Sequence, residues 1–288
     1  MANNLPNRVV LIAGPTASGK SALAIEMARA ENGVIINADS MQIYRELRVV
    51  TARPSAADET MVSHRLYGHV AAAENYSVGL WQKQAMAEII AAHKAGKLPI
   101  LVGGTGLYFM SLVKGLAEVP EITSEVRKHW RGFEGDLHSE LASRDPISAA
   151  KLHASDRQRL IRALEVIDST GHSLAHWQHV AETHAPLTGY DVQKLFKSQD
   201  RSTLYARADQ RFDQMLEQGA LDEVRALPLL EPSAPLMKAI GVRELLAHLK
   251  GEITLDEARR LAQIATRQYI KRQLTWWRGQ MADWEIVP

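Results

Sequence analysis

The chain has 288 residues, and its 34 lysines and arginines against 33 aspartates and glutamates give a formal net charge of +1. A nearly neutral chain has no overall field that would draw it to nucleic acid or a membrane surface, so any basic surface must be local. The 46% hydrophobic and 23% charged fractions are typical of a folded globular protein. The absence of cysteine excludes disulfides, cysteine-ligated metal centres and a cysteine nucleophile.

Hydropathy gives no sign of a membrane protein. No segment approaches the roughly 20 apolar residues that a membrane helix needs, and the polar N-terminus lacks the basic region and apolar stretch of a signal peptide. We therefore expect a cytoplasmic protein with no membrane partner.

The first part of the chain alternates short apolar runs with helical segments. This pattern predicts a parallel sheet with crossover helices, that is, an α/β fold. After Lys114 the pattern changes to helical spacing with many charges, with no convincing strand between residues 121 and 181, and helix resumes near Leu204. We predict a core of residues 1–113 and 201–288, interrupted by a helical insertion of residues 114–200. The predicted strands are Val9–Ala13, Val34–Ile36 and Leu98–Val102, and the predicted helices between them are Lys20–Ala30 and Val78–Lys94.

The segment between the first strand and the first helix matches the phosphate-loop motif G-x-x-x-x-G-K-[ST]. Backbone amides of such a loop and the start of the following helix surround phosphate oxygens, Lys20 adds a charge, and Ser21 can ligate Mg²⁺. The motif predicts binding of a polyphosphate or pyrophosphate and leaves the reaction open. Its residues are Gly14, Pro15, Thr16, Ala17, Ser18, Gly19, Lys20 and Ser21.

Two further segments follow predicted strands. Asp39-Ser40-Met41-Gln42 comes after the second strand, and the glycine-rich run 103–108, which contains Thr105, comes after the third. Ligands of open α/β sheets bind beyond the carboxyl ends of strands, so these segments and the phosphate loop share one edge. Asp39 could hold Mg²⁺ through water, act as a general base, or cap a helix. The glycines allow close approach to a ligand or form a plain turn.

Seven segments together resemble the tRNA dimethylallyltransferase family, in the family's order over nearly the whole chain. The chain departs from the family at Glu46 and Val50, which replace usual glycines, and at His64-Arg65-Leu66, where the family has a second histidine; these changes bear on the loop after Asp39 and on substrate preference. The matching segments are GPTASGKS (14–21), DSMQIYR (39–45), GGTGLY (103–108), DRQRLIRALEV (156–166), QRFDQML (210–216), KAIGVRE (238–244) and TRQYIKRQLTWWR (266–278).

The resemblance implies transfer of a prenyl group from dimethylallyl pyrophosphate to N6 of the adenine just 3′ of the anticodon, in a P-loop-type α/β core with a helical insertion. Mg²⁺, with Ser21 as its protein ligand, and Lys20 would stabilise the departing pyrophosphate. Arg211 is favoured over Arg207 as the arginine that meets it, although the two lie four residues apart and both could form a solvated helix face. Asp39 would accept the proton, and Thr105 would hold the adenine.

The same resemblance implies that tRNA, through its anticodon stem-loop, is the macromolecular partner, and we expect the enzyme to be a monomer. In the C-terminal helix, six lysines and arginines without an acidic residue between Arg259 and Gln280 independently predict an RNA-docking stripe, with a solvated cationic face as the alternative. The stripe comprises Arg260, Arg267, Lys271 and Arg278, and the opposite, apolar side comprises Ala258, Ala262, Ala265, Tyr269 and Trp276. A capping box of Thr254 and Glu257 is expected to begin this helix. The predicted tRNA-binding residues are Asp39, Ser40, Met41, Gln42, Thr105, Arg127, Gln158, Arg159, Arg162, Lys238, Arg243, Arg267, Lys271, Arg272 and Arg278, and the stripe also includes Arg260.

Three other functions fit parts of the pattern. A P-loop kinase for a small molecule would use ATP, with Asp39 as base and the arginine-rich insertion as a lid. A non-catalytic RNA-binding protein gated by a nucleotide would need a base-recognition motif, and none is evident. A prenyltransferase acting on free AMP or ATP is the third, and the basic C-terminal helix favours polymeric RNA over it.

Overall fold

The computed structural model describes residues 7–288, and its centre is a six-stranded parallel sheet. The strand order is β3-β2-β4-β1-β5-β6, and all of the strand pairs are parallel. The sheet and the surrounding helices confirm the predicted α/β fold. The strands are β1 (Arg8–Ala13), β2 (Gly33–Asn37), β3 (His64–Arg65), β4 (Leu98–Gly103), β5 (Asp191–Lys197) and β6 (Glu285–Val287).

Helices connect the strands and form most of the rest of the chain. A short 3₁₀ helix at Pro235–Lys238 precedes the last two α-helices. In chain order the α-helices are α1 (Lys20–Ala30), α2 (Ala56–Met61), α3 (Val78–Lys94), α4 (Gly106–Val113), α5 (Ser124–Gly132), α6 (Leu137–Arg144), α7 (Pro146–Ala149), α8 (Arg157–Thr170), α9 (Leu174–Glu182), α10 (Arg201–Glu217), α11 (Ala220–Arg225), α12 (Val242–Leu249) and α13 (Leu255–Gln280).

Local sequence explains where the principal elements begin. Strands β1 and β4 are almost entirely buried, as expected for strands covered on both faces. Helices α3, α8, α10 and α13 begin after Ser77, Asp156, Asp200 and Thr254, whose side chains accept hydrogen bonds from backbone N–H groups of the first turn. Only half of the predicted capping box forms at α13, because the Glu257 carboxylate pairs with Arg260 instead.

The structure divides into two compact units. The first contains the described residues up to Phe109 together with Gly189–Pro288, and the second is Met110–Thr188. The second unit ends at Thr188, before the predicted boundary at residue 200, because β5 pairs with β1 along its length and belongs to the sheet. This strand escaped prediction because its sequence, DVQKLFK, mixes polar and apolar residues and is only partly buried.

The second unit has a hydrophobic core of its own. Trp130, Leu141, Leu160 and Leu164 are its most deeply buried side chains, contributed by α5, α6 and α8. The helical character predicted for this part of the chain is confirmed, since helices α5–α9 all lie within it.

Within residues 7–288, no helix combines the length and the apolar character required to cross a lipid bilayer.

Candidate active site

The strand order brings three loops together at the carboxyl edge of the sheet. Strand β4 lies between β2 and β1, so the loop after β4 lies between the Asp39 segment and the phosphate loop. Close packing explains its glycines: a Cβ on Gly103 would lie 2.0 Å from the Ala38 carbonyl oxygen, and one on Gly104 would lie 2.5 Å from Gln273 Nε2. The three sequence segments predicted to share an edge therefore do so.

The phosphate loop has the backbone and side-chain features of an anion-binding turn. Ala17 and Gly19 have φ of 65° and 87°, in the left-handed region. Ser18 is fully buried, and its hydroxyl has no hydrogen-bond partner among residues 7–288. A buried hydroxyl without a partner is costly, so it fits a site that a phosphate oxygen completes.

Lys20 at the start of α1 is held within this loop. Its Nζ donates a hydrogen bond to the Pro15 carbonyl oxygen at 3.2 Å. Burial lowers the pKa of Lys20 from 10.5 to about 8; Arg211 adds to the decrease, whereas Asp39 opposes it. Since the free site disfavours the ammonium form, a phosphate bound beside it would restore favourable electrostatics.

Asp39 closes a turn rather than capping a helix. Its Oδ1 accepts a hydrogen bond from Met41 N–H at 2.9 Å, and no helix begins there. The buried Asn37 side chain holds the same turn, accepting from Asp39 N–H at 2.8 Å and donating to the Asp39 carbonyl oxygen at 2.9 Å. The helix-cap interpretation of Asp39 is therefore wrong, and the carboxylate lies in the wall of a cavity.

Thr105 fastens the loop after β4 to the Asp39 segment. Its Oγ1 accepts a hydrogen bond from Ser40 N–H at 2.9 Å and donates one to Ser40 Oγ at 3.2 Å. Gln42, a predicted tRNA contact, uses its Nε2 to donate to the carbonyl oxygens of Thr51 and Ala52, at 2.8 and 2.9 Å. Both side chains thus organise loops at the sheet edge.

A cavity of about 350 Å³ opens beside these loops. Its polar wall includes Thr16, Asp39 and Arg211, while much of the remainder is apolar. Val50, which replaces a usual family glycine, is buried in that apolar wall. The apolar lining residues are Met41, Val50, Ala208, Phe212, Met215, Ala239 and Ile240, and the other lining residues are Ser40, Thr51, Lys238, Thr266, Tyr269 and Arg272.

The structure distinguishes between the two candidate arginines of α10. Arg211 is half-buried in the cavity wall, where burial lowers its pKa and the neighbouring Asp39 opposes that decrease. Arg207 is exposed and does not line the cavity. Arg211 is therefore the arginine that the fold brings to the phosphate loop and Asp39.

The basic stripe of α13 is only partly available as predicted. Arg267 is paired with Asp209 of α10, and Arg260 is paired with Glu257 in its own first turn. The absence of acidic residues between Arg259 and Gln280 was a misleading signal, because Glu257 lies just before that stretch and Asp209 lies on α10. Lys271 and Arg278 are exposed on the helix, and Arg272 lines the cavity.

The apolar side of α13 packs as expected in general but not in every position. Ala258 and Ala262 are buried, whereas Ala265, Tyr269 and Trp276 are half-buried. The fully buried side is shifted toward Thr266, Ile270, Gln273, Leu274 and Trp277.

The other predicted RNA contacts of the first unit are surface cations. Lys238 is exposed at the mouth of the cavity. Arg243 is exposed on α12, and its guanidinium reaches the Pro232 carbonyl oxygen at 3.4 Å.

In the second unit, predicted RNA-binding residues gather around a separate cavity. Arg127, Gln158 and Arg162 line it, whereas Arg159 lies outside it, 3.7 Å from the Asp156 carboxylate. Glu165 is buried beneath, with ion-pair distances of 3.4 Å to Arg131 and 3.8 Å to Arg162. The remaining lining residues include Arg131 and Arg157, so arginines outnumber the single acidic residue Glu165 and the surface is locally positive.

Two groups of the first unit were not predicted. Gln273 lies within the matched segment 266–278 but carried no charge or motif that identified it. The apolar cavity wall from α10 was likewise hidden, because its residues are indistinguishable in sequence from ordinary core positions.

The fold and site define a P-loop-type α/β protein with a phosphate loop and a carboxylate beside an apolar cavity. A family model described as IPP transferase matches residues 42–280. The chain is 52% identical to a tRNA dimethylallyltransferase of Rhodopseudomonas palustris strain BisB18, covering 100% of this chain and 93% of that protein. The chain belongs to the IPP transferase family.

Solved structures agree with this assignment. The tRNA isopentenylpyrophosphate transferase of Bacillus halodurans is 33% identical, with a TM-score of 0.70, covering 98% of this chain and 89% of that one. A eukaryotic dimethylallyltransferase acting on tRNA is 29% identical, with a TM-score of 0.81, covering 94% and 70% of the two chains.

Proposed function

We propose that this enzyme transfers the dimethylallyl group of dimethylallyl pyrophosphate to N6 of the adenine 3′-adjacent to the anticodon in tRNA, releasing pyrophosphate. The observation that carries the proposal is one cavity in which Thr16 of the phosphate loop, Asp39 and Arg211 face an apolar wall. A donor with a charged pyrophosphate and a small hydrocarbon group needs both kinds of surface. The family assignment supports the same reaction.

The charge that develops during the reaction lies on the departing pyrophosphate. The allylic carbon–oxygen bond breaks with its electron pair on oxygen, and the carbon forms a new bond to N6. Lys20, the phosphate-loop amides and Arg211 would stabilise this oxygen charge. The partial burial of Lys20 strengthens the effect, because an ion pair shielded from bulk water is screened less than one in water.

Mg²⁺ is the proposed cofactor. The residues present fit an ion that would be held mainly by the pyrophosphate oxygens of the substrate. Among residues 7–288, no cluster of three histidine or carboxylate side chains could form an all-protein metal site. Mg²⁺ commonly uses few protein ligands together with phosphate oxygens and waters. Ser21, exposed at the first turn of α1, would be a direct ligand, and Asp39 would reach the ion through water. The bound ion would neutralise pyrophosphate charge.

Asp39 is the proposed acceptor of the N6 proton. The adenine amine is a weak nucleophile that becomes acidic as the carbon–nitrogen bond forms, so an ordinary carboxylate can take its proton. Asn37 holds the backbone of Asp39, and Met41 N–H donates to the carboxylate at the cavity wall. Thr105, one residue beyond Gly104, positions this segment and is proposed to contact the adenine.

The acceptor is proposed to be a nucleotide of a tRNA anticodon loop rather than a free nucleotide. Lys238 and Arg272 at the cavity and exposed Lys271 and Arg278 on α13 offer phosphate contacts. The arginine cavity of the second unit offers more, with Arg127 among its lining residues. An adenine in a loop is unstacked at a lower cost than one in a duplex. We further propose that the enzyme works as a monomer in the cytoplasm, where its tRNA substrate is found.

The experiment is incubation with labelled dimethylallyl pyrophosphate, Mg²⁺ and an unmodified tRNA, followed by nuclease digestion and mass analysis. The expected product is one prenylated adenosine from the position 3′ of the anticodon. A matched tRNA with guanine at that position should gain no label. Parallel reactions contain AMP, or ATP with small alcohols.

If AMP becomes labelled and tRNA does not, the acceptor is a free nucleotide and the proposed tRNA acceptor is wrong. Phosphoryl transfer from ATP without prenyl transfer would favour a kinase. No label in any acceptor, with a folded protein and an intact donor, would refute prenyl transfer.

A further inference from the structure

Gln273 is a buried polar side chain that the proposed chemistry leaves unexplained. It lies on α13 and is 5% exposed. Its Oε1 accepts a hydrogen bond from Thr16 N–H of the phosphate loop at 2.9 Å, and its Nε2 donates one to the Gly104 carbonyl oxygen at 3.1 Å. Because one partner is a backbone donor and the other a backbone acceptor, they fix the orientation of the amide.

These two hydrogen bonds join the loops that would hold the two substrates. Thr16 belongs to the pyrophosphate-binding loop. Gly104 directly precedes Thr105, whose hydroxyl is bonded to Ser40 beside Asp39. One amide thus connects the donor side of the cavity to the acceptor side through backbone atoms alone.

The packing around this amide is tight. A Cβ on Gly104 would lie 2.5 Å from Gln273 Nε2, closer than real Cβ contacts allow. Tyr269, one turn earlier on α13 and in the wall of the main cavity, also lines a smaller cavity together with Gln273. The amide therefore has little freedom to take another position, as a fixed spacer requires.

We propose that Gln273 is a positioning residue that fixes the phosphate loop relative to the Asp39–Thr105 region, so that the allylic carbon and N6 meet in reactive geometry. The inference rests on the proposed function. A displacement of about 1 Å in such a geometry costs on the order of 10²-fold in rate. Glutamine suits the role because it presents a donor and an acceptor on one short planar group.

Gln273→Glu is the most informative substitution. A carboxylate still accepts from Thr16 N–H but cannot donate to the Gly104 carbonyl oxygen, which it repels. A protonated carboxyl group regains a donor. The expected result is a lower kcat with donor and tRNA KM near wild type, and a kcat relative to wild type that recovers as pH falls. A role confined to stability would not give this pH-dependent recovery in fully folded protein.

Gln273→Ala and Gly104→Ala interrupt the same contact from its two sides. Both should lower kcat by about 10²-fold, with smaller changes in either KM. Gln263→Ala is the matched control, because Gln263 lies on the same helix and its Nε2 bonds Asp209 and Asp213 of α10 at 3.4 and 3.2 Å. The control should keep the wild-type kcat.

All variants are assayed under single-turnover conditions at a temperature where circular dichroism shows native protein. If an alanine variant does not fold, the pH dependence of Gln273→Glu decides. Wild-type kcat in Gln273→Glu at every pH, or a loss of kcat that does not change with pH, would overturn the positioning role. An inactive wild type in the same assay would instead refute the proposed function.

Discussion

Lys20 carries its charge where the protein alone disfavours it, so removing that charge should stabilise the fold while damaging activity. Burial lowers the pKa of Lys20 from 10.5 to about 8. At about 1.4 kcal/mol per pH unit, this difference corresponds to roughly 3 kcal/mol of destabilisation of the ammonium form. Replacing Lys20 also removes its hydrogen bond to the Pro15 carbonyl oxygen. That loss costs about 1 kcal/mol and offsets part of the stability gained by removing the charge.

We therefore expect Lys20→Met to raise the free energy of unfolding by about 2 kcal/mol at pH 7. The same substitution should lower the rate of prenyl transfer by about 10²–10³-fold, because the departing pyrophosphate loses a charge-assisted contact. Urea denaturation measures the first effect, and single-turnover kinetics with saturating donor measure the second. Lys83→Met, at an exposed position of α3, is the control and should change neither quantity much.

The pH dependence gives an independent check on the cause. Between pH 8 and pH 10.5, the unfolded wild type holds a proton on Lys20 that the folded protein has released. Wild-type stability from this residue therefore rises with pH in that window, and the advantage of Lys20→Met should be lost by pH 10.5. Wild-type kcat/KM for the donor should fall above pH about 8, as the free enzyme loses the ammonium form.

A Lys20→Met protein that is less stable than wild type at pH 7 would refute the argument. So would a stability difference that stays constant from pH 7 to pH 10.5, because it could not arise from the Lys20 charge. Unchanged turnover at saturating donor would remove Lys20 from the proposed mechanism.

Three further predictions concern the site and its basic surface. Asp39→Asn should keep the fold and the affinity for both substrates but slow transfer by about 10²–10⁴-fold in single-turnover assays; full activity would exclude Asp39 as base and as metal partner. Arg211→Ala should weaken pyrophosphate binding, measured by calorimetry, whereas Arg207→Ala at the exposed position should not, and equal effects would contradict the assignment. Lys271→Glu should weaken tRNA binding and flatten the log–log slope of tRNA affinity against salt concentration by about 0.7–0.9 per lost phosphate contact. Arg267→Gln should chiefly lower stability, because it breaks the pair with Asp209. A wild-type slope in Lys271→Glu would show that this position does not touch RNA.

The sequence alone predicted those features that depend on residues close to one another in the chain. The apolar run of β1, the glycine-rich loop and the helix ending at Ala30 predicted a phosphate site. Asp39 and Thr105 could be placed at the same edge without coordinates, because parallel strands present their carboxyl ends together. The family assignment likewise needed only the matching segments in their order.

Other features depend on distances that only the folded chain sets. β5 was missed because it is only partly buried and its mixed sequence leaves no strong apolar signal. The available cations of α13 were misjudged because Asp209, far away in sequence, comes to lie beside Arg267.

The distinction between local and long-range distances also separates what the sequence determined about the site from what the tertiary structure decided. Local motifs specified a phosphate loop, a carboxylate and their shared edge. The choice of Arg211 over Arg207, the burial that lowers the pKa of Lys20, and the contact of Gln273 with Thr16 across 257 residues of chain come from helix packing. Burial and long-range hydrogen bonds are properties of surfaces brought together by folding, and no local pattern records which side chain will occupy the space between them.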